Sequence, residues 1–422
     1  MISGERRAIT IIMDSFVIAV FVLTYLGMAF GSVPGLKIDR TGIALVAVVA
    51  LLVSGKVGVR AMGSSIDVPT LLLLFAMMIV SAQFQLAGVY EAVATRVAGG
   101  SGSPRRLLAL VILAAGGLSA VLANDVVCFA MTPIVTLGIQ RRGLDPRPYL
   151  LGLVGGANAG SAATLIGNPQ NILIGQVGGL DFWDFLAACA VPAALSLLVV
   201  HLVISWLWRR ELAAEPQPLP PVAGERRLHR WQAMKGGCAL LGLALLFAAP
   251  LPREVGAMVI AGLLLASRRM SSREMIGSVD WHLLLLFACL FVVTGAFADT
   301  DFARQWVETL AERGLFPDTL GAMLPVALLA SNSIGNVPAV MLILSVWHTP
   351  DPGALTGLAL LSTLAGNFLL VGSLANIIVA ERAASVGARL SFADFARAGV
   401  PLTLVTMAIA LVWLWLGGWM HW

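Results

Sequence analysis

Residues 163–175 read ATLIGNPQNILIG, and Asn168, Pro169, Gln170 and Asn171 fall together inside sequence otherwise apolar enough for a membrane. In lipid every backbone N–H and C=O needs a partner, so non-helical backbone is tolerated only where it lines a protein-enclosed cavity. Gly167 and Pro169 break the helix there, and Thr164, Asn168, Gln170 and Asn171 set neutral donors and acceptors beside the break. Freed carbonyls at such a break coordinate cations, and the N-terminus of the following half-helix attracts anions. A second chemical group lies upstream: Asp125, the single charge within residues 107–140. A charge at membrane depth costs at least about 2.5–3.5 kcal/mol on insertion scales, which marks it for function, here coupling to a proton or cation. The compatible structural role is an N-cap for a half-helix beginning at Val126.

These residues recur. Asn124 in LANDVV has a counterpart in Asn336 of IGNVPA, and LIGNPQNILIG (165–175) resembles LVGSLANIIVA (370–380), pairing Gly167 with Gly372 and Asn171 with Asn376. SIDVPTLLLLFA (65–76) likewise resembles SVDWHLLLLFA (278–288). Three matches in conserved order imply an internal duplication. Repetition favours lining of a site by Asn124, Asn171, Asn336 and Asn376 over ordinary interhelical hydrogen bonding, worth about 0.6 kcal/mol. Ser331, Asn332, Ser333 and Ser373 extend the candidates in the second half. Ser161, Asn158 and Asn367 lie near the breaks, the two asparagines without an evident counterpart. Cys128, one turn beyond Asp125, reads as a small buried hydrophobe, and the five histidines show no metal-ligand spacing.

The elements that must position these groups are membrane helices. The 422 residues are 59% hydrophobic and 12% charged, against about 25% charged in soluble domains. Mean hydropathy is +0.90 and the pI about 9.1. The basic residues sit mostly in short loops, as topology signals do, and call for no nucleic-acid partner. The four cysteines lie in separate apolar segments and read as buried thiols. A Pro-rich basic stretch, 209–235, divides an N-terminal transmembrane repeat (1–208) from a C-terminal one (236–422) and is expected to be cytoplasmic. Residues 107–140 would reach about 51 Å as one helix, too long for one span and too short for two. Basic flanks at Arg96, Arg105, Arg106 and at Arg141, Arg142, Arg147 make them a re-entrant hairpin with Ala123, Asn124 and Asp125 near its tip. Residues 148–180 then cross as a broken helix, and 319–350 and 353–380 repeat this layout. The expected fold is an all-α polytopic membrane protein of two inverted repeats, each of about five transmembrane helices, one re-entrant hairpin and one broken helix. That parity puts the N-terminus outside, against the preference of Arg6 and Arg7.

ANDVVCFAMTPIV (123–135), SAATLIGNPQNILIG (161–175), SNSIGNVPAVMLIL (331–344) and LAGNFLLVGSLANIIVAE (364–381) resemble the ion transporter superfamily. That group includes arsenite permeases, divalent anion:sodium symporters, citrate transporters and NhaD-type antiporters. The symporters' Ser-Asn-Thr hairpin signature is incomplete here, being Ala123-Asn124-Asp125 in one hairpin and Ser331-Asn332-Ser333 in the other. The resemblance implies elevator-type alternating access, a homodimer and a prokaryotic inner-membrane location.

The expectation is a secondary active transporter of an anion or small oxyacid, coupled to H+ or Na+. Any bound sodium would lie near Asn124, Asn171, Asn336 and Asn376, and no other cofactor is implied. The alternative is Na+/H+ antiport without an organic or oxyanion substrate. An intramembrane enzyme would need a set such as HExxH or GxSxG, and the sequence holds none.

Overall fold

The structure, a computed structural model, describes residues 2–30, 37–99, 102–215, 228–247, 249, 251–347 and 350–422, with side chains from Asp14 onward except at 30, 98 and 311. Residues 216–227 of the expected linker, the side chains of Arg6 and Arg7, and His348 lie outside the described residues.

Among the described residues the chain is helical and falls into two runs of ten helices. The first run is α1 (Ile2–Phe30), α2 (Arg40–Val53), α3 (Val59–Ser65), α4 (Val68–Leu86), α5 (Val89–Ala98), α6 (Pro104–Ser119), α7 (Asn124–Gln140), α8 (Arg147–Ser161), α9 (Pro169–Val177) and α10 (Phe182–Leu207). The second is α11 (Arg230–Phe247), α12 (Arg253–Leu265), α13 (Ser272–Gly277), α14 (Trp281–Ala298), α15 (Asp301–Glu312), α16 (Leu320–Ile334), α17 (Asn336–Val346), α18 (Pro352–Ala365), α19 (Leu374–Ala384) and α20 (Phe392–Leu416). Each run places its long apolar helices fourth and tenth. The four helices long and apolar enough to cross a membrane, α4, α10, α14 and α20, are two corresponding pairs. The other apolar helices, among them α2, α7, α16, α17 and α18, are shorter.

Local chemistry explains one of the sequence repeats. Asp67 and Asp280 each cap a long helix, accepting from the backbone N–H of Thr70 and Leu283 at 2.9 Å. The capped helices run in opposite directions. Ser65, just before α4, lies beside Gly295 near the end of α14. Phe75, within α4, packs on Trp281 at the start of α14 with centroids 5.8 Å apart. Two helix pairs, α6–α7 and α16–α17, are joined by short connections and pack against each other, the second pair meeting at Gly335 with φ +93°. Arg147 opens α8 in ion pairs with Asp145 at 2.6 Å and with Asp394 of α20 at 3.4 Å.

One detail differs from the sequence expectation, and one segment lies outside it. Cys128, Cys189 and Cys289 are buried, but Cys238 is exposed on the outer face of α11. The segment after α14 forms α15, a charged helix whose outward-facing Phe302 and Trp306 make it amphipathic.

Candidate functional site

The site is built around two interruptions. After α8 the backbone leaves the helix at Ala162 and re-enters it at α9, where Asn168 caps by accepting from Asn171 N–H at 2.8 Å. Pro169 suits the first helical position because its missing N–H would have no helical partner. The interruption leaves carbonyls without helical donors, and the side chain of Asn171 supplies them. Its Nδ2 donates to the Ser161 carbonyl at 3.3 Å and the Thr164 carbonyl at 2.9 Å. Between α18 and α19 the same staple recurs: Asn376 Nδ2 donates to the Gly366 carbonyl at 2.7 Å and the Leu369 carbonyl at 3.0 Å. Donor and acceptor are ten and seven residues apart in both halves.

Glycine is required inside each staple. A Cβ on Gly167 would sit 2.4 Å from the Ser161 carbonyl oxygen and 2.7 Å from that of Ser119. A Cβ on Gly372 would sit 2.4 Å from Asn332 Oδ1 and 3.0 Å from the Gly366 oxygen.

The two interruptions are bonded to each other reciprocally. Thr363 Oγ1 of α18 donates to Asn171 Oδ1 at 3.1 Å, and Asn158 Nδ2 of α8 donates to Asn376 Oδ1 at 3.0 Å. Asn158 and Thr363 are separated by the same 205 residues as Asn171 and Asn376. Thr363 Oγ1 accepts from Asn168 Nδ2 and Gln170 Nε2, each at 3.2 Å. Asn158 Oδ1 accepts from Asn124 Nδ2 at 3.0 Å and from Ser373 Oγ at 3.5 Å. Asn158 Nδ2 also donates to Asn367 Oδ1 at 2.9 Å. Asn171 and Asn376 thus spend both amide hydrogens and a carbonyl lone pair inside the protein. Their side chains position the breaks and have little capacity left for a ligand.

Each helix-pair tip docks on the interruption of its own half. Thr164 Oγ1 donates to the Ala120 carbonyl at 2.6 Å, and Asn124 N–H to the Gly167 carbonyl at 3.1 Å. In the second half Asn332 Nδ2 donates to the Ala365 carbonyl at 2.9 Å, and Asn332 Oδ1 accepts from Leu369 N–H at 3.0 Å. Among the described residues, three buried oxygens at the tips have no hydrogen-bond partner: Asn124 Oδ1, Ser119 Oγ and Ser331 Oγ. Both serines are fully buried. Ser119 was missed by sequence reasoning, although it precedes Ser331 by 212 residues, the separation of Asn124 from Asn336.

The remaining candidates divide. Asp125 lies in the first turn of α7, where a carboxylate complements the helix dipole. It is not the cap, because Ala123 holds that position without a capping side chain. Among the described residues the Asp125 carboxylate takes part in no hydrogen bond or ion pair. Asn336 Oδ1 accepts from its neighbour Val337 N–H at 2.9 Å. Ser333 stands apart: it is exposed, and its hydroxyl donates to the Leu329 carbonyl at 2.7 Å. A cation does reach the first helix pair from the other half. Arg382 of α19 lies 4.0 Å over the ring of Phe129, one turn beyond Asp125.

Residues 21–354 match the citrate transporter family. A 46 kDa membrane protein of Mycobacterium leprae is 32% identical over 96% of this chain and 99% of its own length. The silicon efflux transporter LSI3 of Oryza sativa subsp. japonica is 28% identical, covering 95% and 97% of the two chains. The inner membrane protein YbiR of Escherichia coli is 31% identical over 76% of this chain and 81% of its own. The YdaH transporter of Alcanivorax borkumensis shares the fold with a TM-score of 0.59 at 15% identity, covering 97% and 98% of the chains. The chain is an integral membrane protein and a transporter rather than an enzyme, and it belongs to the citrate transporter family.

Proposed function

We propose that the protein is a secondary active transporter of a small anion or oxyacid, coupled to H+ or Na+, working by elevator-type alternating access between two inverted repeats. The observation that carries this reading is the meeting of two interrupted helices and two helix-pair tips around buried oxygens without partners. Buried polar atoms are satisfied in the great majority of native structures, so matched orphans at both tips point to a bound species. Ser119 Oγ and Asn124 Oδ1 at the first tip, and Ser331 Oγ at the second, can each coordinate a small cation, with Asn171 and Asn376 holding the adjoining backbone. The cation and the N-termini of α7, α9, α17 and α19 together offer an anion its positive charge. Opposite running of α4 and α14 supports the inverted arrangement. The halves divide at the linker, and the resemblance carries the homodimer and inner-membrane location.

The unpaired Asp125 carboxylate favours a second reading, in which a proton leaves or enters there as the transported species moves. The family's name supports a carboxylate anion, and the rice relative's name supports an oxyacid. Na+/H+ antiport without such a substrate uses the same residues.

A thermal-shift screen of the purified protein tests these readings, because a ligand bound only to the folded state raises apparent stability by RT ln(1 + [L]/Kd). Citrate, dicarboxylates, arsenite, sulfate and phosphate are each compared with and without sodium at two pH values. A sodium-dependent shift with one anion is the expected result. Stabilisation by sodium or pH alone, with every anion inert, sinks the anion reading in favour of the antiporter.

A further inference from the structure

A cavity of about 840 Å³ lies away from the interruptions, between the end of α4, the start of α11 and the connection from α12 into α13. Its mouth is cationic: Arg230 and Arg269 line it, and among the described residues neither guanidinium has a hydrogen bond or ion pair. Among the described residues Glu274 is the one acidic lining residue, and Leu86, Leu228, Trp231 and Met270 supply an apolar side. The walls are fixed by buried amides. Gln83 Nε2 donates to the Gln232 carbonyl at 2.8 Å and to Gln232 Oε1 at 3.1 Å, and His229 N–H donates to the Ala87 carbonyl at 3.0 Å.

The cavity continues into an apolar track. Along α11 the exposed side chains Trp231, Met234, Cys238, Leu241 and Leu245 recur at spacings of three and four residues, which places them on one helix face. Leu241 and Leu245 are 63% and 66% exposed, so none of the described residues covers this stripe. A soluble anion would use the arginines and leave the stripe idle. A phosphate ester carrying acyl chains uses both, with its headgroup on the guanidiniums and its chains along α11. Basic pockets at helix ends recognise anionic headgroups in this way, and Trp marks the headgroup level.

We infer that this cavity and the α11 stripe form a binding site for an anionic phospholipid on the linker side of the bilayer. The site is structural to α4, α11 and α12 and does not depend on the identity of the transported species.

Native mass spectrometry of the full-length protein in detergent tests it, with phosphatidylglycerol, phosphatidylcholine and inorganic phosphate as probes. The wild type should retain phosphatidylglycerol about tenfold better than phosphatidylcholine. The double variant Arg230→Ala/Arg269→Ala should lose that preference, while Arg304→Ala on α15 keeps it. A double variant that keeps the wild-type preference for phosphatidylglycerol overturns the site. So does binding of inorganic phosphate as strongly as the lipid, which would make the ligand a free anion. Photoreactive phosphatidylglycerol on the unaltered protein removes any dependence on variant folding. Cross-links should map within Arg230–Phe247, and labels confined to other helices reject the proposal.

Discussion

In the first half of the molecule the amide of Asn171 bridges the carbonyls of Ser161 and Thr164; in the second, Asn376 bridges those of Gly366 and Leu369. The framework is the same, yet the groups hung on it differ. Asp125 corresponds to Val337 by the spacing of Asn124 from Asn336, while Thr164, Asn168 and Gln170 correspond to Leu369, Ser373 and Ala375 by that of Asn171 from Asn376. Thr164 holds its tip through a hydroxyl, whereas Leu369 holds its tip through its backbone N–H on Asn332. What the two halves have in common is the stapled backbone. The carboxylate at the tip stands in one half alone, with Val337 in its place in the other, so the halves share geometry without sharing side-chain chemistry.

The largest test of this asymmetry is Asp125→Asn. It is expected to lower transport into proteoliposomes more than about tenfold and to flatten its pH dependence, consistent with a functional charge at membrane depth. Adding Val337→Asp should not restore activity. Restoration would mean that the halves are chemically interchangeable, breaking the comparison. Gly167→Ala and Gly372→Ala come next. The first forces a Cβ onto two backbone oxygens, whereas the second meets chiefly the Asn332 side chain, which can turn aside at the cost of its bond from Leu369 N–H. Gly167→Ala should therefore lower the unfolding temperature and yield of folded protein more than Gly372→Ala, and equal losses would contradict the contact geometry. Asn171→Ala and Asn376→Ala should cost similar amounts, about 1–3 kcal/mol for each carbonyl left unsatisfied. Thermal unfolding in detergent reads this, and a loss confined to one of them would show that the staples are unequal. The smallest effects belong to Ser119→Ala and Ser331→Ala. Removing an unpartnered buried hydroxyl should leave stability within about 1 kcal/mol. Each should nevertheless weaken any sodium-dependent thermal shift, and an unchanged shift would remove these oxygens from the proposed cation site.

The breaks and tips were legible in the sequence because Gly, Pro and Asn have few reasons to interrupt apolar runs. The likeness between the two staples was legible where the same residue type occupies both, as with Asn171 and Asn376. It was invisible where the type changed: Asn158 and Thr363 make equivalent bonds, but an amide does not resemble a hydroxyl in an alignment by eye. Consecutive residues also misled. Ser331, Asn332 and Ser333 read as one cluster, yet neighbours on a helix point about 100° apart, so Ser331 is buried while Ser333 faces outward. Exposed Cys238 was hidden for a related reason, since an apolar run does not say which of its faces meets lipid and which meets protein. Within the first tip, Ser119 looked like an ordinary small residue until its lack of a partner singled it out.

The reciprocal bonding of the two interruptions also sets a schedule for biosynthesis. Asn171 receives its bond from Thr363, 192 residues downstream, and Asn158 gives one to Asn376, 218 residues downstream. At about 5–20 residues per second, those partners emerge roughly 10–40 s after the groups that need them. For that interval the nascent first half holds polar side chains at membrane depth with their later partners unmade. A truncated chain ending at the linker would carry the same unsatisfied amides permanently, which would make it a ready target for membrane quality control.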